Sequence, residues 1–144
     1  MKARQIIAII LTLIVMAFIY YNSSQDSAAS SAASDHVMKW LQSHDIYLSA
    51  FAVRKLAHFC EFALLGFLLV FALGGKVLAA AILGIIYACT DEFHQTFVSG
   101  RAGQLPDVGI DGAGVICGMT LAAILLVIGK LIGAISPIKK LGSH

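Results

Sequence analysis

The stretch "LAAAILGIIYACTDEFHQTF", residues 78–97, runs apolar for a dozen positions and then sets Asp91, Glu92, His94 and Gln95 within a single turn and a half. Length and lack of alternation make the apolar part a helix long enough for a bilayer rather than a strand. A charged side chain costs about 2.5–3.5 kcal/mol at the centre of such a helix. Four polar groups gathered at its end therefore need neighbours that receive them.

The rest of the chain has the same character. Hydrophobic residues make up 59% and charged residues 12% of the sequence, and the mean hydropathy is +0.88. Soluble domains average about 45–50% apolar and about 25% charged, so the solvent of this chain is a membrane. Four stretches are long enough to cross it, at about residues 5–21, 52–73, 76–94 and 106–135. The expected fold class is an all-α integral membrane protein, a four-transmembrane-helix bundle, with residues 1–144 forming one membrane domain. A net charge of +2, scattered along the chain, points away from nucleic acid. The first stretch has a second reading as a cleavable leader, since a basic start and an apolar middle are followed by the small residues "SAASSAAS".

Between the first two spans, "NSSQDSAASSAAS" reads as a flexible solvated linker. In "DHVMKWLQSHDIYLSAF" beyond it, Val37, Leu41, Leu48 and Phe51 can share a face, with Trp40 nearby. An interfacial helix lying on the membrane surface and an ordinary loop both fit. Cys60, Cys89 and Cys117 are odd in number and have no CxxC pair, so they read as buried small hydrophobes.

Counting charges across four spans puts Lys2, Arg4, Lys76, Lys130, Lys139 and Lys140 at one membrane face and Lys39, Arg54, Lys55 and Arg101 at the other. The positive-inside rule then favours cytoplasmic termini. All eight acids, Asp26, Asp35, Asp45, Glu61, Asp91, Glu92, Asp107 and Asp111, fall on the opposite face.

Helical spacing sorts these groups into pairs. In "RKLAHFCEFALLG", Arg54, His58 and Glu61 share one stripe with Lys55 close by. Glu61 lies about 9 Å deeper than Lys55, at about 1.5 Å per residue, where it requires a partner, water or a proton. Asp91 pairs by spacing with His94 and Gln95, and Asp107 with Asp111 one turn deeper. Arg101 sits in the loop between. Small-residue stripes, Ala80–Gly84–Ala88 on the third span and Gly114–Gly118 on the fourth, allow the helices to approach closely. The expectation is one shared polar site at one membrane face.

With "RKLAHFCEFALLG" and "TDEFHQTFVSGRAGQLPDVGIDGAGVICG", the sequence resembles the VanZ-like family of small bacterial membrane proteins over about residues 52–120. Its "NSSQDS" is similar to that family's first loop. The resemblance implies an association with glycopeptide resistance, chiefly to teicoplanin, and supplies no mechanism.

Three functions fit the cluster. Arg54, Lys55 and Arg101 can neutralise the acids as an ion-pair network that locks the helices together. The same cations, with Glu92, Gln95, Asp107 and Asp111, can bind a lipid headgroup, a lipid-linked cell-wall precursor or a glycopeptide at the outer leaflet. His58, Glu61, Asp91 and His94 can serve as catalytic groups of a membrane-embedded hydrolase or transferase. In that reading His58, Glu61, Asp91, His94, Asp107 and Asp111 supply the ligand types of a divalent metal.

Overall fold

The computed structural model describes Ala3–Leu141, with side chains through Ile132. Lys2 and His144, and the side chains of Lys139 and Lys140, lie outside the described residues. Five helices follow one another: α1 (Ala3–Ser23), α2 (Ser27–Gln42), α3 (Ala50–Ala72), α4 (Val77–Gln95) and α5 (Leu105–Leu141). Among the described residues there is no strand. Four helices, α1, α3, α4 and α5 through Ile132, are long and apolar enough to cross a bilayer. Large apolar side chains such as Ile10, Leu13, Leu78, Leu121 and Ile128 face outward, as the lipid-facing surface of a membrane bundle requires. The chain is a multi-pass membrane protein built as a four-helix bundle.

Helix α3 is the hub, packed against each of the other four helices. Its Phe62, Leu65 and Val70 are fully buried among Ile19 of α1, Ala80 and Ala88 of α4, and Val115 and Ala122 of α5. The α3–α5 seam is the closest of these contacts. A β-carbon on Gly118 would fall on the backbone oxygen of Ala63, and one on Gly114 would come 2.5 Å from that of Phe59. Gly66 of α3 and Gly84 of α4 make room for Val115 in the same way. At one end of the bundle, Gly74 and Gly75 turn the chain from α3 into α4 with φ of 66° and 90°, a backbone that side-chain-bearing residues rarely adopt. Gln5 of α1 closes that end by donating to the Ala72 carbonyl at 3.0 Å.

Helix α2 corrects two sequence expectations. The expected flexible linker is helical from Ser27 onward. Its alternating Ala and Ser residues look like low complexity, but Ala is the best helix former and Asp26 caps the N-terminus by accepting from the Ala29 amide at 2.8 Å. The helix then ends at Gln42, so Leu48 and Phe51 are not on it; Ser43–Asp45 form a turn in which Asp45 has φ 60°. The small side chains let α2 lie against α3, with Ser34 buried. The cysteines are a third correction: Cys60, Cys89 and Cys117 are all free and exposed on the outside of the bundle. Cys is small enough to sit in a lipid-facing row without penalty, so an apolar neighbourhood in sequence did not mean an interior place.

Candidate functional site

The polar groups collect where the C-terminal ends of α1 and α4 meet the N-terminal ends of α3 and α5. Each arrives on a helix for a local reason. Ser49 caps α3 by accepting from the Ala52 amide at 3.1 Å, which starts the turn that carries Arg54, Lys55 and His58. Pro106, suited to a first helical turn, begins α5 so that Asp107 and Asp111 fall on consecutive turns. Gly100 (φ 71°) bends the α4–α5 loop beneath α2, and the Ser27 amide donates to the Ser99 carbonyl at 3.3 Å.

Two adjoining cavities open here. The larger, about 220 Å³, is walled by Lys55, Glu92, Gln95, Gln104, Asp107 and Asp111. The smaller, about 180 Å³, is more apolar and has Asn22, Val37, Val53, Ala57 and Glu61 around it. Arg54, His58, Arg101 and Ser30 line both and form the partition. Helix α2 roofs the pair.

Asp91, 4% exposed, accepts on Oδ2 from the Ser23 hydroxyl at 2.7 Å and from Gln95 Nε2 at 3.0 Å. Glu92 takes Gln95 Nε2 at 3.3 Å on one oxygen and the Gln104 amide at 3.0 Å on the other. Asn22 donates to Glu61 Oε1 at 2.8 Å. Asp107 is paired with Lys55. Asp111, 1% exposed, has His58 Nδ1 at 3.6 Å from Oδ1. Among the described residues, its Oδ2, like Oε2 of Glu61, is buried without a hydrogen-bond partner.

The full ion-pair network that the sequence permits does not form. Among the described residues the ion pairs are Lys55–Asp107 and His58–Asp111. Arg54 reaches only the Ser31 hydroxyl, at 3.4 Å. Arg101 donates to Gln95 Oε1 at 3.2 Å and to the Asn22 carbonyl at 3.3 Å. Burial pulls the Arg101 guanidinium below its ordinary value; Asp91 opposes this and the like charge of Arg54 adds to it. The group remains cationic, since guanidinium does not deprotonate in proteins.

Arg54, Lys55, His58, Glu92, Gln95, Arg101, Asp107 and Asp111 are thus brought to one cavity and Glu61 to its neighbour, with Asp91 buried alongside. His94 stands apart. Its ring stacks on Tyr20 with centroids 4.6 Å apart, its Nε2 lies 3.1 Å from Ser24 Oγ, and it lines neither cavity. The geometry instead groups His58, Asp91 and Asp111, which each offer a ligand atom within 4.8 Å of the others.

Sequence reasoning placed the site on three helices and missed the contribution of α1. Asn22, Ser23 and Ser24 hold Glu61, Asp91 and His94 respectively. The sequence carried no signal for them: Ser23 lies one turn beyond Ile19, but only the burial of Ile19 in the structure shows which face of the uniformly apolar α1 points inward. Ser27 and Ser30 of α2 and Gln104 of the loop were also unmarked.

A bundle of four membrane helices with a roofed polar cavity at one end defines a small multi-pass membrane protein with an intramembrane polar site. A family model described as VanZ/LLP1 matches residues 8–126, and the chain belongs to this VanZ-like family. Neither the curated proteins nor the solved structures contain a match.

Proposed function

We propose that this VanZ-like protein resides in the bacterial cytoplasmic membrane with both termini in the cytoplasm. In this reading the cavities open at the outer leaflet and bind the anionic headgroup of a cell-envelope lipid or lipid-linked cell-wall precursor. Resistance to glycopeptides, teicoplanin among them, follows from that engagement.

One observation carries the reading. Arg54 and Arg101 line both cavities, and among the described residues neither has a carboxylate within 4.0 Å. Cations near the hydrocarbon that are not spent on the protein's own acids favour an anion from outside, and guanidinium matches phosphate in a bidentate manner. Burial lowers the Arg101 value and the like charge of Arg54 adds to it; a shared anion between the two guanidiniums would relieve that repulsion. The smaller cavity's apolar wall, Val37, Val53 and Ala57, suits the first carbons of an acyl or prenyl chain.

The test measures binding of short-chain phosphatidylglycerol and of a short-chain polyprenyl diphosphate to detergent-purified protein. Short-chain phosphatidylcholine serves as the neutral control. Arg54→Ala and Arg101→Ala should each weaken anionic binding by about tenfold, the lower end of a charge-assisted hydrogen bond. Arg101→Lys should retain part of it, and folded yield should stay near wild type. The same alanine variants should raise teicoplanin susceptibility in a host that depends on the protein. Unchanged lipid binding in both alanine variants overturns the reading. The enzymatic alternative, a membrane-embedded hydrolase, rests on the His58–Asp91–Asp111 group; turnover of either phosphate ester by the purified protein separates it from binding alone.

A further inference from the structure

We infer that His58, Asp91 and Asp111 form a binding site for one divalent transition-metal ion, of the zinc or manganese class, set between the two cavities. This deepens the headgroup reading, because a metal here would supply a third positive group toward a bound phosphate beside Arg54 and Arg101, but it stands on separate observations.

Three helices bring the donors together: α3 provides an imidazole, α4 and α5 a carboxylate each. Their ligand atoms lie within 4.8 Å of one another. Bonds of about 2.0–2.2 Å to a shared ion place ligand atoms roughly 3–4 Å apart, so closure is a matter of about 1 Å of side-chain rotation. The 3.6 Å from His58 Nδ1 to Asp111 Oδ1 is longer than a hydrogen bond and falls in the range of two ligands on one centre.

The second observation is the orphaned oxygen. Asp111 is 1% exposed, and its Oδ2 has no hydrogen-bond partner among the described residues. Buried polar atoms are overwhelmingly satisfied in folded proteins, and an exception calls for strain, a functional role, a water or an ion to account for it. Asp91 receives both its hydrogen bonds on Oδ2, which leaves Oδ1 without one among the described residues. Those two donors, from Ser23 and Gln95, fix the carboxylate as outer-shell partners of metal ligands do. Glu61, one turn from His58, adds a further buried and unpartnered oxygen, Oε2. Three carboxylates, of Asp91, Asp111 and Glu61, thus lie about the His58 imidazole. One imidazole with carboxylates is a mixed nitrogen–oxygen set that suits zinc, manganese or ferrous iron better than calcium. His94 is excluded by its stacking on Tyr20.

The experiment strips the full-length, detergent-purified protein with EDTA and titrates it with Zn²⁺ and Mn²⁺ by calorimetry, with melting temperature followed in parallel. Wild type should bind about one equivalent of at least one ion and melt higher with it. His58→Ala and Asp111→Asn should each weaken binding by more than about 100-fold, the upper end of what outer-shell changes do, and lose the thermal shift. Should Asp111→Asn not fold, Asp91→Asn and His58→Gln serve in its place with the same expected loss. Arg101→Ala should bind the ion within about threefold of wild type while losing lipid, so that failure of the headgroup reading and of the metal site can be told apart. A wild-type protein that binds neither ion, or variants that bind as wild type does, overturns the proposal.

Discussion

The two halves of the α3–α5 pair solve opposite problems with the same backbone geometry. From Gly114 inward, glycines bring the helices so close that a β-carbon would strike the facing main chain. One turn outward, Asp111, Asp107, Lys55 and His58 take the glycines' place, and cavities of about 220 and 180 Å³ open around them. Packing density holds the inner half together, since hydrocarbon is as apolar as the helices and offers no hydrophobic drive to associate. The outer half is bridged by the pairs Lys55–Asp107 and His58–Asp111, and among the described residues it leaves one buried oxygen each of Glu61 and Asp111 unmatched. A tight seam thus stands directly beneath an under-satisfied vestibule, in which Asp111 and Glu61 each keep a buried oxygen without a partner among the described residues.

Substitutions sharpen this contrast, beginning with the largest effect. Gly118→Val should cost at least about 3 kcal/mol through overpacking against Ala63, visible as loss of folded yield and a collapsed melting temperature in detergent. Gly129→Ala, where a β-carbon meets nothing within 4 Å, should shift stability by less than about 1 kcal/mol. Equal tolerance of the two would mean that close backbone approach does not hold the α3–α5 seam together. Ser23→Ala removes a donor to the buried Asp91 carboxylate and should cost about 1.5–3 kcal/mol, read as a lower melting temperature with the oligomeric profile on size-exclusion unchanged. A cost near zero would mean that α1 merely lies beside the site. The smallest change is expected at Lys55→Gln. Its pair with Asp107 is partly exposed, 24% and 15% for the two side chains, and such pairs contribute up to about 1 kcal/mol. A larger loss in melting temperature would move Lys55 from the vestibule's rim to its frame.

What the sequence made legible was whatever depends on period and depth. The four spans, the end of the bundle where His58 meets Glu61, Asp91, Glu92, Asp107 and Asp111, and the small-residue stripes all follow from apolar run length and helical spacing. Three things escaped. The first half of helix α2 hid because Ser–Ala repeats carry no apolar period, and their helicity comes from alanine propensity and the Asp26 cap; its second half, from Asp35 to Gln42, lies where a helix between the first two spans was one of the two readings. The pairing of charges was open because spacing shows which groups share a face but not which of several acids a guanidinium reaches; Arg101 turned to a glutamine and a main-chain carbonyl. The role of α1 was obscured by its uniform apolar run, which reads as an anchor, while the site contacts come from its last turn alone.

That last turn has a consequence for how the protein is made. Asn22 and Ser23 leave the ribosome well before the residues they serve: 39 positions separate Asn22 from Glu61, 68 separate Ser23 from Asp91, and 79 separate the Asn22 carbonyl from Arg101. The first helix must therefore wait in the bilayer with polar groups uncommitted until the later ones are threaded and dock. The vestibule comes into being as a closing act of biogenesis, and a chain shorn of its first helix would insert three spans that have nothing to finish them.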